Sequence, residues 1–375
     1  MELQIAHIED VLPHLVEVHG IFVNRRPGYQ VIDYGFVVDE TFSSEVALQC
    51  RGLKFDEDGV IIARPFHKFF NIGEREDPKE MDWTRPHVVL DKLDGSMIHP
   101  ARINGELVFM TRAGVTDHAR AALAFASERV LKLCDAELDA GRTPIFEFTG
   151  PENRVVVLYE TPALTLLASR EILTGRYLGL ADLEALARAF DVPLVQQFGT
   201  VDDVTRFVAE GRALEGVEGY VVAFEDGHRV KLKAEAYALR HKALSAVHLE
   251  KNVLQWITAE ALDDVLPLLN DDAAALVKDY KRQVDNAVAT AVEQIEQVTT
   301  AHDGKSRKEL ALAVQAELPK HLRSAAFAVV DGRSAREAVM KHLSWAAHSQ
   351  PRVDQVRPFY GLSWNAAHLT EIEPG

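Results

Sequence analysis

The sequence has 375 residues, 47% of them hydrophobic, and a formal net charge of −16. This length suggests two domains, and the acidic balance excludes a protein that coats nucleic acid through general basicity. Because the start has no basic segment followed by an apolar one, and no later run approaches the roughly 18 apolar residues of a membrane helix, we expect a cytoplasmic protein without membrane association.

Residues 21–112 contain β-branched and aromatic runs separated by turn signals. Asp58-Gly59 and Asn104-Gly105 lie between such runs, and both dipeptides favour tight hairpin turns. The pattern predicts mainly antiparallel strands. In the second hairpin the register places Arg112 opposite Met97, which would bring it back close to the start of that hairpin.

The middle of the chain alternates between helical and extended patterns. Apolar residues recur at three- and four-residue steps over 117–140, which predicts a helix. Strands are predicted at 143–150, 154–159 and 163–171, and a short helix over 181–190 that ends before a proline.

The segment "VEGYVVAFEDGHRVKLK", residues 217–233, predicts a further hairpin. A two-residue turn at Asp226-Gly227 pairs Val222 with Lys231. Alternation along the strands then places Glu218 on the same face as Lys231 and Lys233. Taken alone, a carboxylate and two lysines on one strand face are more typical of a solvated surface than of a binding site.

Beyond about residue 235 the pattern becomes helical, and apolar residues at helical spacing between Val277 and Val298 predict one long amphipathic helix. The tail from Arg357 is expected to be irregular. The fold class is therefore α+β: an antiparallel-sheet domain over residues 1–244 followed by an all-helical domain over residues 245–375.

The stretch "VVLDKLDGSMI" ends an apolar strand by delivering Lys92 into a polar turn. Gly95 lacks the Cβ that would keep a bulky ligand away from the backbone, and Lys92 with Arg112 makes a reasonable phosphate clamp. Glu147 lies between two phenylalanines and is a candidate to accept a hydrogen bond from a ribose hydroxyl. Each signal is short, and the alternatives are an ordinary turn and a surface acid.

The ordered set "RG…ARPFHKFFNIGE…KLDGS…FEFTGPENRVV…EGYVV…KLK" resembles the covalent nucleotidyltransferases, and among them the ATP-dependent RNA ligases of the phage T4 RNA ligase 1 type. The match extends from about residue 29 to residue 241. The resemblance implies a nucleotidyltransferase domain followed by a helical domain associated with recognition of structured RNA. Each motif is short, but six in the same order are highly specific.

By this resemblance, Lys92 is the nucleophile that becomes adenylylated, and Asp94 and Gly95 complete its motif. Glu147 would hold the ribose, and Glu218 would help to bind Mg²⁺ or Mn²⁺. The remaining implied contacts to ATP are Arg51, Lys68, Phe70, Lys231, Lys233 and Tyr237, with Lys231 and Lys233 on the phosphates. Where the family has a lysine after the nucleophile hairpin, the nearest basic residue here is Arg112.

The implied reaction has three steps: Lys92 takes AMP from ATP, AMP passes to an RNA 5′-phosphate, and a 3′-hydroxyl then displaces AMP. A neutral lysine at pH 7 costs about 4.6 kcal/mol, and we expect Lys231, Lys233 and a divalent metal to lower the pKa of Lys92. The implied partners are RNA ends, including broken tRNA, and a kinase or phosphatase that prepares those ends. We expect a monomer in a bacterial or phage-infected cytosol.

Three alternatives remain open on the sequence. A DNA ligase or an mRNA-capping guanylyltransferase would share the first step, although no OB-fold-like segment follows "KLK". An inactive RNA-end-binding module is the third. Six basic residues of the helical domain are candidates for an RNA-facing patch, although a solvated helical surface is the more common explanation: Lys278, Lys281, Arg282, Lys305, Arg307 and Lys308.

Overall fold

The computed structural model describes residues 3–367 and residue 369. The chain divides into two compact units, one ending at Ala238 and the other beginning at Leu239. The first unit is built on β-sheets and the second on helices, so the α+β class is confirmed. Within the described residues, none of the helices combines the length and the hydropathy that a membrane span requires.

Three four-stranded sheets form the first unit. The first sheet has the order β1-β2-β3-β4: β1 Ile21–Arg26, β2 Tyr29–Tyr34, β3 Leu53–Asp56 and β4 Ile61–Ala63. The second contains β7 Ser96–Ile103, β8 Glu106–Met110, β9 Arg142–Thr149 and β10 Ala163–Glu171, in the order β10-β9-β7-β8. The third contains β5 Phe70–Asn71, β6 His87–Asp91, β11 Gly219–Phe224 and β12 Arg229–Lys233, in the order β5-β12-β11-β6. Only the β5–β12 pair is parallel among these strands.

Helices surround the sheets and then form the second unit. The earlier ones are α1 Glu45–Gln49, α2 Asp117–Phe125, α3 Glu128–Asp139, α4 Leu180–Phe190, α5 Val204–Arg212 and α6 Glu235–Val247. The later ones are α7 Glu250–Thr258, α8 Leu262–Val265, α9 Asp271–Ala301, α10 Arg307–Glu317, α11 Arg323–Val330, α12 Ala335–Ala346 and α13 Gln350–Tyr360. Short 3-10 turns lie at Ile8–Asp10, Leu12–His14, Pro151–Asn153 and Leu266–Leu268.

Local patterns predicted several elements correctly. Both early hairpins form, as β3–β4 and β7–β8. The long amphipathic helix is α9, whose predicted apolar positions from Val277 to Val298 are all buried. The strands at 143–150 and 163–171 are β9 and β10.

Three local predictions were wrong. The helix over 117–140 is interrupted because the Ser127 side chain accepts a hydrogen bond from the Val130 backbone and starts α3 as a new helix. Residues 154–159 are not a strand, since their backbone binds a side chain instead of a neighbouring strand. The tail begins in α13, which continues to Tyr360; residues 361–367 and 369 form no helix or strand, and the rest of the predicted tail lies outside the described residues.

The register predicted for the 217–233 hairpin was also wrong by one residue. Val221, not Val222, pairs with Lys231, because the turn is one residue longer and the Phe224 amide bonds to the His228 carbonyl. Val222 therefore joins the core on one face, while Val221 lies on the same face as Lys231 and Lys233. Glu218 is no longer on that strand face, and its position requires another explanation.

Candidate active site

Lys92 follows β6 directly, and its backbone amide donates to the Gly219 carbonyl at 3.0 Å. This bond continues the β6–β11 pairing by one residue. The strand therefore holds the base of the lysine firmly, while the side chain extends past the end of the sheet. The Lys92 Nζ lies 2.7 Å from Glu218 Oε1.

Glu218 reaches the lysines because the chain turns sharply beside it. Gly219 has a φ of +139°, and a Cβ there would lie 2.0 Å from the Leu232 carbonyl oxygen. Only glycine fits this close approach, so β11 starts at Gly219 and Glu218 leaves the strand. Its Oε1 also lies 3.3 Å from Lys233 Nζ. The predicted grouping of Glu218 with Lys233 is thus present through a glycine kink, not through strand alternation.

Asp94 organises the loop that follows the nucleophile candidate. Its Oδ2 accepts hydrogen bonds from the Val156 and Val157 amides at 2.8 and 2.7 Å, and its Oδ1 accepts one from the Tyr237 hydroxyl at 2.6 Å. The Asp94 amide donates to the Tyr159 hydroxyl at 3.0 Å. The segment 154–159 is therefore irregular because it wraps around this buried carboxylate.

Gly95 is required because the loop after Lys92 passes very close to the backbone of β9. A Cβ at this position would lie 2.2 Å from the Phe148 carbonyl oxygen on β9. The glycine therefore permits the loop to approach the neighbouring strand, and the expectation that it also makes room for a ligand stays a prediction. The Gly95 amide donates to Glu147 Oε1 at 3.1 Å.

Glu147 lies at the centre of β9, where Phe146 and Phe148 point into the core between the second sheet and its helices. Its own side chain points to the opposite face, as the alternation predicted. Burial raises the pKa of Glu147 to about 8, with Lys92 acting against the shift and Glu218 adding to it. A carboxyl that is protonated near neutral pH is able to donate as well as accept a hydrogen bond.

The pKa of Lys92 departs from the expected direction. Burial lowers it, but the carboxylates of Glu218 and Glu147 outweigh that effect, and the pKa of Lys92 lies above its ordinary value. The expectation that the neighbouring lysines depress it was wrong for this arrangement of the protein alone. Lys92 is held as an ammonium by Glu218, and it would have to lose a proton to act as a nucleophile.

Lys231 is the lysine with the depressed pKa. Burial and the positive charge of Lys233, Lys92, Lys68 and Arg51 lower the pKa of Lys231 to about 7. Five predicted positive residues thus act on one small volume. Such a concentration of cations is a strong attractor for a polyanion such as a triphosphate.

Lys68 is oriented by aromatic rings. Its Nζ lies 5.0, 5.3 and 5.7 Å from the ring centroids of Tyr34, Phe42 and Phe70, distances at which an ammonium is attracted to an aromatic face. Phe70 belongs to β5, beside Val230 on β12. The three rings hold the ammonium without neutralising it.

Arg112 lies elsewhere than predicted. The β7–β8 ladder ends at the His99–Met110 pair, and a turn between Thr111 and Gly114 follows. Arg112 is part of that turn and is not opposite Met97. Its guanidinium instead donates to Asp33 and to the Tyr34 carbonyl on β2, both at 3.0 Å.

The carboxylate of Glu218 suits a divalent metal in type, since Mg²⁺ and Mn²⁺ prefer oxygen ligands. Residues 3–367 and 369 contain no group of three or more His, Cys, Asp or Glu side chains arranged to hold a metal.

The structure thus brings most predicted residues together. Lys92, Asp94, Glu147, Glu218 and Tyr237 are linked by direct contacts or mutual electrostatic effects, and Lys233 and Lys231 join them from β12. Sequence reasoning missed Tyr34, Phe42, Asn153 and Tyr159. Asn153 accepts a hydrogen bond from the Ser96 hydroxyl. Tyr159 was missed because the valines before it are typical of a strand, whereas this segment forms a loop.

Comparison with known proteins places the chain in a family. Residues 49–237 match the model of a family described as RNA ligase, and residues 245–344 match the T4 RNA ligase 1, C-terminal domain. RNA ligase 1 of bacteriophage TS2126 is 33% identical over 365 residues, which are 90% of this chain and 89% of the phage protein.

Two further similarities are more partial. A protein of Thermovibrio ammonificans (strain DSM 15698 / JCM 12110 / HB-1), provisionally named an RNA ligase, is 33% identical over 228 residues, which are 58% of this chain and 59% of that relative. An archaeal ATP-dependent RNA ligase structure, form 2, shares 17% identity over 64% of each chain with a TM-score of 0.47, a likeness too weak to carry an argument. On the family models and the phage relative, this chain belongs to the RNA ligase family of the T4 RNA ligase 1 type.

Proposed function

We propose that this protein is an ATP-dependent RNA ligase that joins 5′-phosphate and 3′-hydroxyl ends through a covalent lysyl-AMP on Lys92. The observation that carries the proposal is the contact of Lys92 Nζ with Glu218 at 2.7 Å, beside Lys233 and Lys231. A half-buried lysine fixed at its base by a strand, paired with one carboxylate and surrounded by phosphate-binding cations, suits nucleophilic attack on a nucleotide.

In the first step, the Lys92 nitrogen forms a bond to the α-phosphorus of ATP, and the bond from that phosphorus to pyrophosphate breaks. Lys231 and Lys233 would stabilise negative charge on the phosphates. Phosphate binding would also raise the pKa of Lys231, because the anion compensates the cations that now depress it. Glu147 would hold the ribose.

Glu218 would help to hold Mg²⁺ or Mn²⁺, which when bound supplies positive charge that stabilises the transferring phosphate. Glu218 now accepts from Lys92 and Lys233 through the same oxygen. Any positive charge that engages Glu218 would weaken its hold on the Lys92 ammonium and so favour loss of the proton.

The later steps would use the same residues. AMP would pass from Lys92 to an RNA 5′-phosphate, and a 3′-hydroxyl would then attack that phosphorus and release AMP. Each step is a displacement at phosphorus with similar charge, so one set of cations serves all three. We propose broken tRNA as a substrate, with a kinase or phosphatase preparing its ends, and a monomer acting in the cytoplasm.

Five further residues would support ATP binding: Arg51, Lys68, Phe70, Arg112 and Tyr237. The first three border the cationic volume around Lys231 and would contact ATP. Tyr237 would act through Asp94, to which it donates a hydrogen bond. Arg112 would act through Asp33, which lies at the end of β2 near Lys68 and its aromatic rings.

The decisive test is covalent labelling with ATP carrying a labelled α-phosphate, in the presence of Mg²⁺. The wild type and Lys79→Ala, which changes an exposed lysine, should both become labelled. Lys92→Ala and Lys92→Arg should not, and the arginine keeps the positive charge beside Glu218. Labelling of either Lys92 variant would overturn the assignment.

A sealing assay separates this function from its alternatives. Single-stranded RNA with a 5′-phosphate and a 3′-hydroxyl should be joined in the presence of ATP, and a nicked anticodon stem-loop should be joined if tRNA is the substrate. A DNA ligase would prefer DNA ends, a guanylyltransferase would be labelled by GTP, and an inactive end-binding module would show no label at all.

A further inference from the structure

Five aromatic rings form one continuous row on the helical unit, which we call the aromatic row. Its members are, in spatial order, Phe359, His321, Tyr360, His342 and Trp345. His321 stacks on Phe359 with centroids 4.9 Å apart and an interplanar angle of 6°, and His342 stacks on Trp345 at 5.9 Å and 18°. Tyr360 lies between the two stacks, 5.3 Å from His321 and 5.8 Å from His342.

The two ends of the row are exposed while its centre is buried. Trp345 and Phe359 are 44% and 50% exposed, and Tyr360 is 8% exposed. The Tyr360 hydroxyl is 2.9 Å from His342 Nδ1, which fixes the centre. The row therefore presents two ordered aromatic side chains at the surface, on which a planar group is able to stack.

Burial lowers the pKa of both His321 and His342. Both imidazoles are therefore mainly neutral at pH 7. They support the outer rings by stacking and add little charge. Trp345 has His342 stacked on its ring and the Arg352 guanidinium over it, so the Trp345–Arg352 pair and Phe359 are the two pre-organised platforms, and a planar group that stacks on them would lose little further side-chain entropy.

The surrounding charge indicates the kind of partner. The segment 318–363 has seven Lys and Arg residues against three Asp and Glu residues, within a chain of net charge −16. The Arg352 guanidinium lies 4.7 Å from the Trp345 ring centroid, and Lys320 and Lys341 are exposed neighbours of the two histidines. The aromatic row therefore lies in a locally basic part of an acidic protein.

The basic residues near the aromatic row are better candidates for binding phosphate than the six basic residues first considered for an RNA-facing patch. Three of those residues are engaged in ion pairs: Lys281 with Asp285, Arg282 with Asp279, and Arg307 with Asp331. Cations paired in this way attract phosphate weakly, because the adjacent carboxylate repels it. The aromatic row combines basic charge with exposed rings, which the earlier set does not.

We propose that the aromatic row binds an unpaired segment of the RNA substrate, with bases stacked on Phe359 and on the Trp345–Arg352 pair and phosphates beside Lys320 and Lys341. Every base has a face that stacks on an aromatic ring, and cations along the backbone complete this mode of single-strand recognition. The inference rests on the proposed function, since it assumes that RNA is the substrate. An apolar protein partner would need a broader aliphatic surface than two separate rings with basic neighbours.

The test measures binding of a fluorescent single-stranded RNA to the full chain by anisotropy, separately from labelling of Lys92. Trp345→Ala and Phe359→Ala should each raise the Kd by about fivefold or more, and the double variant should raise it by more than either. Trp345→Phe should retain most of the affinity. Leu312→Ala, which removes another exposed apolar side chain of the same unit, should bind as the wild type does.

Two further measurements make the outcome unambiguous. Thermal unfolding checks that the variants remain folded, and Lys92 should be labelled equally in all of them, so that failure of the proposed function appears as absent labelling in the wild type. Duplex RNA should be insensitive to the substitutions because its bases are not available for stacking. Unchanged single-strand affinity in a folded double variant, equal losses for duplex and single strand, or selective binding of an acidic peptide instead of RNA would overturn the inference.

Discussion

Each unit of the protein contains a buried carboxylate surrounded by positive charge, and the two arrangements differ. In the helical unit, Glu250 accepts hydrogen bonds from Arg357 Nε and Nη2 and, at 2.7 Å, from the Tyr280 hydroxyl. One side chain thereby joins α7, α9 and α13. In the first unit, Glu218 offers a single oxygen to two lysines, at 2.7 and 3.3 Å.

The difference lies in the chemistry of the partners. A guanidinium presents a rigid fork that matches both carboxylate oxygens, so the Glu250 pair has one stable geometry. An ammonium is a compact charge without such a fork, and two ammonium groups beside one oxygen repel each other. The Glu250 arrangement is therefore built to persist, whereas Glu218, in the function proposed above, would exchange partners when a nucleotide and a metal bind.

The largest expected effect is a loss of stability when the Glu250–Arg357 ion pair is broken. Glu250→Ala leaves Arg357 without its buried partner, and removal of one member of a buried pair typically costs about 3–5 kcal/mol. We expect the free energy of unfolding, measured with denaturant, to fall by about that amount. Asp354→Ala removes the exposed partner of the same arginine and should have a much smaller effect. Equal losses of unfolding free energy in the two variants would show that Glu250 does not hold α7, α9 and α13 together.

A smaller but specific effect is expected from Glu218→Gln. The amide keeps the shape but not the charge, so we expect the rate of Lys92 labelling by ATP to fall about a hundredfold, the usual loss when an oriented electrostatic group is removed from an active site. Glu225→Gln, on the same hairpin and exposed, should leave the rate unchanged. A faster rate in Glu218→Gln would mean that Glu218 only holds Lys92 in its protonated form, and would contradict the role proposed for it.

The smallest expected effect, counted per pH unit, is a pH dependence of stability. The pKa of Glu147 is raised from 4.5 to about 8 by burial, so the folded state keeps a proton that the unfolded state loses. The stabilisation is therefore complete below pH 4.5 and is lost as the pH rises towards 8, by at most about 1.4 kcal/mol per pH unit. Denaturant unfolding should show this decline in the wild type and not in Glu147→Gln.

Lys231 gives the opposite slope at higher pH. Its pKa is lowered from 10.5 to about 7, so its contribution to stability is present above pH 10.5 and is lost as the pH falls towards 7. Together the two groups predict least stability between pH 7 and 8, where an anionic nucleotide would offset the repulsion around Lys231. A wild-type profile that rises steadily from pH 5 to 8, or Glu147→Gln with the same slope as the wild type, would contradict this account of the site.

Sequence reasoning succeeded where the signal is local. The turn dipeptides at Asp58-Gly59 and Asn104-Gly105 and the apolar repeat of α9 each need only neighbouring residues, and each formed as predicted. Sequence reasoning failed where a group distant along the chain determines the local conformation. The valines before Tyr159 have strand propensity, but their amides bind Asp94, and Arg112 turns away to Asp33 because the β7–β8 ladder ends before it reaches that residue.

The sequence by itself determined the class of the fold and the order of the motifs that identify the family, because residue types at fixed spacings carry both. Only the tertiary structure decided the chemistry of the site. It set the one-residue register of β11 and β12, the kink at Gly219 that brings Glu218 to Lys92, and the choice of Lys231 over Lys92 as the lysine with a lowered pKa. Charges interact through space, so their effects follow from distance and burial, which no spacing along the chain specifies.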